Sequence, residues 1–323
     1  SRVAIVFNGS PLFTGAAGSG ESEIRRWIIE NDWLEAVVAL PDQLFYNTGI
    51  STYFWIVTNR KAPERRGKVQ LIDARESFTK MRKSLGEKRK QIADDQIADI
   101  VRLYGDYTDG ERVKILPNES FGFMRITVER PLRLRWEVTA DTLDALHASK
   151  VWNKLAEDAQ AAVDGALSKF DGSAPVAPAT LTAAVKALSL KPAEVKAIVE
   201  ALSVRDPDVD PVTDRTGNPE PDPELRDNEN VPLPAVTVSY ETDVTGRLDT
   251  IENRSAINDY LDSEVLPYVP DAWVDHTKTK LGYEIPLTRH FYKYVPPRPL
   301  AEIDAEIKQL ETEIQALLAE VTE

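Results

Sequence analysis

Short apolar runs and amphipathic stretches alternate over the first 75 residues of the chain. Residues 3–7 (VAIVF), 35–40 and 53–58 (YFWIVT) are apolar runs too short for a helix and bounded by turn formers, so each predicts a strand. Residues 69–74 (VQLIDA) predict a fourth. Between the first two runs, a Gly/Ser-rich loop at 14–20 leads into a predicted helix. Ser19 or Ser22 is its expected cap, and Glu21 and Glu23 suit the dipole of its first turn. Ile24, Trp27 and Ile28 sit at helical spacing, a face expected to lie on a sheet. The order strand, helix, strand, strand, strand, with hairpin-like spacing at the end, predicts antiparallel additions at the edge of an otherwise parallel sheet.

Downstream the pattern changes. Residues 75–102 read as a helix that is basic at first, with Lys80, Arg82, Lys83, Lys88, Arg89 and Lys90 against Glu76 and Glu87. A solvated face and a phosphate-contacting patch are equally weighted readings of that cluster. Residues 124–128 alternate polar and apolar, as in an edge strand leading to a helical region. Residues 141–170 keep helical spacing through Leu143, Leu146, Val151, Leu155, Val163 and Leu167. A Gly/Pro/Ala linker at 171–178 precedes short alanine-rich helices at 181–202, with Pro192 opening the second. Residues 205–234 hold seven prolines, many acids and almost no apolar residues, and predict a long loop or arm. Within it Glu220, Asp222 and Glu224 lack the spacing of a calcium loop and read as solvated charge. A short strand at 236–240, a helix at 255–265 and an irregular aromatic region at 268–299 follow. The chain ends in Leu300, Ile303, Ile307, Leu310, Ile314, Leu317 and Val321, spaced alternately by three and four. That narrow a/d seam predicts a helical pair with another chain or domain; a packing face on the same chain is the plainer alternative. The expected division is 1–75 sheet strands, 76–204 basic helix and helical region, 205–235 acidic arm and 236–323 partner-binding region.

Composition narrows the function classes. The 323 residues are 42% hydrophobic and 28% charged, an ordinary globular mixture. No apolar run approaches the ~20 residues that span a bilayer, and no signal peptide is visible. The absence of cysteine excludes disulfides and thiolate chemistry and fits a cytoplasmic protein. His147, His276 and His290 are scattered without metal-ligand spacing, so no metal site is expected. A net charge of -14 argues against non-specific coating of nucleic acid and leaves local basic patches open. No phosphate-cradling glycine motif is present, which disfavours a nucleotide hydrolase. Ser1 runs straight into an apolar strand, so the chain is expected to be a piece of something longer.

The most informative stretch is 34–61, LEAVVALPDQLFYNTGISTYFWIVTNRK. Two strands flank a loop whose tip carries Phe45 and Tyr46 beside Asn47, Thr48 and Gly49. Such a loop can present a flat ring to a flat ligand; on this stretch alone, capping of the core by those rings is the favoured reading. Five collinear segments then resemble one family. They are VAIVFNGSPLF (3–13), ESEIRRWIIENDWLEAVVALPDQLFYNTGISTYFWIVTNRK (21–61), VQLIDAR (69–75), FGFMRITVERPLRLRW (121–136) and LGYEIPLTRHFYKYVPPRPLAEIDAEI (281–307). They resemble the modification (M) subunit of type I DNA restriction–modification systems, an N6-adenine DNA methyltransferase.

The resemblance implies an α/β fold: the C-terminal part of a Rossmann-like methyltransferase sheet, followed by a mainly helical region ending in a coiled-coil helix. It implies S-adenosylmethionine as methyl donor for the full-length subunit. The family's donor loop and Asn-Pro-Pro-Phe/Tyr motif are not found in 1–323; the lone Asn-Pro, Asn218-Pro219, sits in the acidic arm. By that resemblance the chain is the C-terminal portion of the subunit and should not catalyse alone. Phe45 falls where the family's aromatic stacks on a flipped adenine, which reverses the preference stated above, with Tyr46 as the alternative. Asn8 and Gly9 fall on the loop lining the adenine pocket. Lys80, Arg82, Lys83, Lys88, Arg89 and Lys90 would touch DNA backbone phosphates, and the terminal seam would dock the specificity (S) subunit. DNA and the S and restriction (R) subunits are the implied partners, and no membrane is. The competing reading is a non-enzymatic assembly module that binds a helical partner.

Overall fold

A computed structural model describes residues 1–323 except 171, 173, 238, 295 and 323, and except the side chains of 319–322. Parts of the expected 171–178 linker, 236–240 strand and 268–299 region, and the seam position Val321, therefore lie outside the described residues. The fold is mixed α/β. The chain forms two compact units, one of residues 1–14, 27–121 and 284–323, the other of 15–26 and 122–283.

The first unit is built on five strands: β1 (Arg2–Phe7), β2 (Leu34–Ala39), β3 (Tyr53–Thr58), β4 (Lys68–Asp73) and, after a separate hairpin of β5 (Thr79–Leu85) and β6 (Lys88–Gln91), β7 (Val113–Pro117). Their spatial order is β1-β3-β2-β4-β7. The four apolar runs are strands, as the pattern predicts. The expectation of a largely parallel sheet needs correction: among the paired neighbours only β2 and β4 are parallel. The 40–52 connection turns the chain back, so β3 inserts between β1 and β2 and runs against both. Every residue of β2 is buried, which is why it reads as a continuous apolar run instead of an alternating one. Val38, Ile72, Ala74 and Val113 form a core against which Leu40, Phe54, Ile100, Leu103, Tyr104 and Ile115 pack.

The helix expected over 75–102 is a second correction. Residues 79–91 form the β5–β6 hairpin, and the helix runs from Asp94 to Asp106. Gly86 supplies the left-handed turn at φ +60°, which a continuing helix does not allow.

Helix Gly20–Glu30 starts as predicted, with Ser19 Oγ accepting from the Ser22 amide at 3.5 Å. Its buried side is not the predicted one. Ile24 and Trp27 are exposed, while Ser22, Arg25 and Arg26 are buried. Hydrogen bonding explains the reversal: Arg25 donates to Tyr283 O at 2.5 Å, Arg26 to Glu241 O at 2.9 Å, and Ser22 Oγ accepts from Tyr283 N at 3.0 Å. A guanidinium that satisfies backbone carbonyls can be buried where an unpaired charge cannot.

In the second unit, β8 (Gly122–Glu129) is central, not the expected edge strand. β11 (Asp227–Pro232) lies on one side, and β12 (Trp273–Val274) and β13 (Lys280–Tyr283) on the other. β9 (Leu134–Trp136) pairs with β10 (Ser203–Arg205). The acidic 205–234 stretch is not a free arm either. It contributes β11 and makes bridges at Pro211, Pro219 and Pro221. Asp222, read as solvated, is buried, because Arg205 binds both its carboxylate oxygens at 2.8 and 3.0 Å. Helices Ala140–Ala148, Glu157–Leu167, Pro178–Lys186 and Pro192–Ala201 gather Leu146, Val163 and Leu167, as their spacing predicts, together with Leu181 and Ile198 into a core. No strand forms over the described residues of 236–240, and the predicted 255–265 helix runs as Ile251–Tyr260 followed by a π turn. Among the described residues no helix is long and apolar enough to cross a membrane.

Candidate nucleic-acid interface

The sheet of the first unit brings three connections to one end. Phe7 and Ala39, the last residues of β1 and β2, both pair with Tyr53 at the start of β3. Asp73, the last residue of β4, pairs with Ala39. The carboxyl ends of β1, β2 and β4 therefore share an edge, which is where ligands bind in open α/β sheets. The segments that leave those ends are 8–9, 40–52 and 74–93, and they hold every sequence-predicted DNA-contact residue.

Asn8 is exposed, and its Oδ1 accepts from the Ser10 amide at 3.1 Å, an Asx-type turn that opens the short helix Ser10–Phe13. A Cβ on Gly9 would lie 3.4 Å from the Tyr53 ring, so the backbone passes close to the start of β3. In the next connection Gln43 adopts φ +57°, and Gln43 N donates to Gly49 O at 3.3 Å. Phe45 and Thr48 face each other in an isolated bridge. That closure turns the tip outward: Phe45 is 39% exposed and Tyr46 64%. Neither ring is sealed in the core, so the structure does not favour the core-cap reading.

The third connection is the basic hairpin. Lys80, Arg82, Lys83 and Arg89 are exposed and Lys88 is half-buried. Lys90 differs from its neighbours. Its ammonium pairs with Asp42 and lies 3.8 Å from the Phe78 ring centroid, so it is spent inside the protein and is not free for phosphate. The base of this connection is fixed at β4. Arg75 binds both carboxylate oxygens of Asp73 at 2.8 and 2.7 Å. Arg112 donates to Asp73 O at 3.2 Å, to Ser77 Oγ at 2.7 Å and to Asp99 at 2.7 Å. Burial raises the Asp73 carboxyl, but the Arg75 hydrogen bonds and the nearby guanidinium charges outweigh it and hold the group below its ordinary value. Sequence reasoning missed Asp42, Gln43, Phe78 and Gly86. Gly86 alone left a signal, as a turn former inside a charged run.

The terminal seam lies on helix Leu300–Thr322. Leu300, Ile307, Leu310, Ile314 and Leu317 are exposed and Ile303 is half-buried. The seam is thus an open apolar stripe on the described chain.

The resemblance also implies S-adenosylmethionine. The Gly-rich 14–20 loop is the segment whose composition suits a cofactor cradle, and its space is already taken. A Cβ on Gly15 would lie 2.4 Å from Ser19 Oγ and 2.8 Å from Glu21 Oε2, Gly18 N donates to Leu281 O at 3.0 Å, and Gly18 faces the Lys280 stem. These residues do not form a donor cradle.

Strands ending on one edge, an outward aromatic tip and a basic hairpin beside it make up the candidate site. Residues 1–120 of the chain match the family model described as N-6 DNA Methylase. Its relatives there are type I restriction enzyme methylase subunits. The MjaVII methylase subunit of Methanocaldococcus jannaschii is 33% identical over 110 residues, 34% of this chain and 18% of that protein. The HindI methylase subunit of Haemophilus influenzae is 36% identical over 88 residues, 27% of this chain and 18% of that protein. Among solved structures, the type I methyltransferase subunit of Streptococcus thermophilus aligns at 26% identity over 37% of this chain and 24% of that one, with a TM-score of 0.32. The EcoKI M protein aligns at 22% identity over 32% of this chain and 21% of that one, with a TM-score of 0.25. The chain spans about a fifth of the length of the curated relatives it matches. The likenesses read at 121–136 and 281–307 lie beyond the family match.

Proposed function

We propose that the chain is the C-terminal part of the methylase subunit of a type I restriction–modification complex, which moves a methyl group from S-adenosylmethionine to adenine N6 in DNA. In this reading the five-stranded sheet is the late half of a Rossmann-like methyltransferase sheet. Its work is to hold the extruded base and to assemble with the specificity and restriction subunits. The donor site lies in residues other than 1–323. Phe45 stacks on the target adenine, with Tyr46 beside it, and Asn8 and Gly9 line the pocket. Lys80, Arg82, Lys83, Lys88 and Arg89 meet backbone phosphates, which position the protein without reading sequence.

The observation that carries this reading is the exposed Phe45 ring at the carboxyl edge of a sheet that lies within the segment matching the N-6 DNA Methylase model. An enzyme that modifies a base must take it out of the stack, and an aromatic face is a sequence-tolerant way to hold it. The test is Phe45→Ala in the methylase complex that contains this chain, read by 2-aminopurine fluorescence at the target adenine. Losing ~1–3 kcal/mol of stacking should cut the extruded population about 5- to 150-fold and dim the signal accordingly. An unchanged signal refutes the stacking role. The open seam on Leu300–Thr322 independently favours an assembly role, and the two readings are compatible in one subunit.

A further inference from the structure

The basic hairpin and the aromatic loop are bolted together. Glu87 N donates to Tyr46 O at 2.9 Å, and Arg89 N and Lys90 N both donate to Gln43 O at 3.0 and 3.2 Å. The Lys90 ammonium reaches Asp42 and covers the Phe78 ring. Gly86 has no room for a side chain: a Cβ there would sit 2.6 Å from Tyr46 O and about 3 Å from the Tyr46 ring. A two-stranded hairpin is marginal by itself in water. This one also places Lys80 directly opposite Lys90 and holds six cations against Glu87 within the hairpin, only Lys90 being paired with Asp42 of the loop. Like charges facing across a ladder are destabilising, so the hairpin keeps its form through the bolts to the 42–49 loop, and a polyanion laid along it relieves the repulsion.

We propose that the hairpin is the device through which contact with the DNA backbone sets the position of the Phe45–Tyr46 loop, with Gln43 and Gly86 as positioning residues. The inference rests on the nucleic-acid reading above and deepens it. The partner is duplex DNA, engaged through its phosphates. Neutralising Lys80, Arg82, Lys83 and Arg89 holds the hairpin still. The three backbone hydrogen bonds carry that restraint to Gln43 and Tyr46, on either side of Phe45. A ring held before the base arrives loses less conformational freedom when it stacks.

The test uses the 323-residue chain and a 30-base-pair duplex, with hydrogen exchange resolved to residues 42–50 and 79–91 and affinity measured across a salt titration. With wild type, DNA should slow exchange in both segments together. Replacing Lys80, Arg82 and Lys83 by Gln should lower the log-affinity against log-salt slope by about 2–3 and abolish protection of the loop as well as the hairpin. Gly86→Val should keep the salt slope and hairpin protection while the loop loses its protection. Asp42→Asn, which removes one side-chain bolt and leaves the turn intact, should act the same way more weakly, and it serves if the valine variant folds poorly. The proposal is overturned if the duplex does not bind, if the triple variant keeps its slope, or if the loop stays protected in both bolt variants. None of those outcomes touches the 2-aminopurine test of Phe45, so coupling and base stacking fail separately.

Discussion

Glu129 closes the central strand of the second unit, and its removal has a cost that the structure allows one to work out. The carboxylate is buried at 1% exposure. Arg226 Nε donates to its two oxygens at 2.8 and 3.0 Å, and Lys278 Nζ donates to Oε1 at 2.8 Å. In Glu129→Gln the shape is kept and the charge is lost. A hydrogen bond to a charged group contributes about 1.5–3 kcal/mol, so losing two such partners sets an upper bound near 3–6 kcal/mol. The side chains of Arg226 and Lys278 are 35% and 42% exposed, so both cations recover part of their hydration when released. The expected net loss is about 2–3 kcal/mol, which corresponds to about 30- to 140-fold faster exchange of the buried β8 amides under native conditions. The readout is peptide-resolved hydrogen exchange over 122–129, with 34–39 in the other unit as control. The pH dependence follows from the same contacts. Burial raises the Glu129 carboxyl, and the hydrogen bonds and charges of Arg226 and Lys278 outweigh it and bring the group below its ordinary value. A carboxyl depressed in the folded state contributes stability above its unfolded pKa and loses it as pH falls through the folded value. The difference between wild type and Glu129→Gln should therefore shrink on acidification below about pH 4. A difference under about 0.5 kcal/mol at pH 7, or one that grows on acidification, refutes the claim that this ion triad holds the strand.

Two further outcomes are expected. Leu71→Ala removes a fully buried side chain from β4 and should destabilise the first unit by about 2–5 kcal/mol, measured as a lowered urea midpoint of β2–β4 protection; a loss below 1 kcal/mol shows that the site collapses around the missing methyls. Ile307→Asp with Ile314→Asp alters residues that are 50% and 56% exposed, so thermal stability should hold within about 0.5 kcal/mol while capture of the specificity subunit is lost; retained capture rejects the seam as the docking surface.

Local patterns determined much of this protein. The strands at 3–7, 35–40, 53–58 and 69–74 are readable as short apolar runs bounded by turn formers, and the helical core residues of 141–170 and the terminal heptad helix by their helical period. The aromatic pair at the 40–52 loop tip was visible in the sequence, but the stretch alone favoured a core cap, and only the resemblance turned Phe45 toward stacking. Tertiary structure decided the rest. Whether residues 79–91 were helix or hairpin depended on the bolts to Gln43 and Tyr46, partners more than forty residues earlier that no local window includes. Arg25 and Arg26 took the buried side of their helix because the carbonyls of Tyr283 and Glu241, over two hundred residues away, accept their hydrogen bonds. Lys90 is drawn away from the exposed basic residues of the hairpin for the same kind of reason, through Asp42. Periodicity is written into consecutive residues, whereas the satisfaction of a buried charge is settled only when distant segments meet.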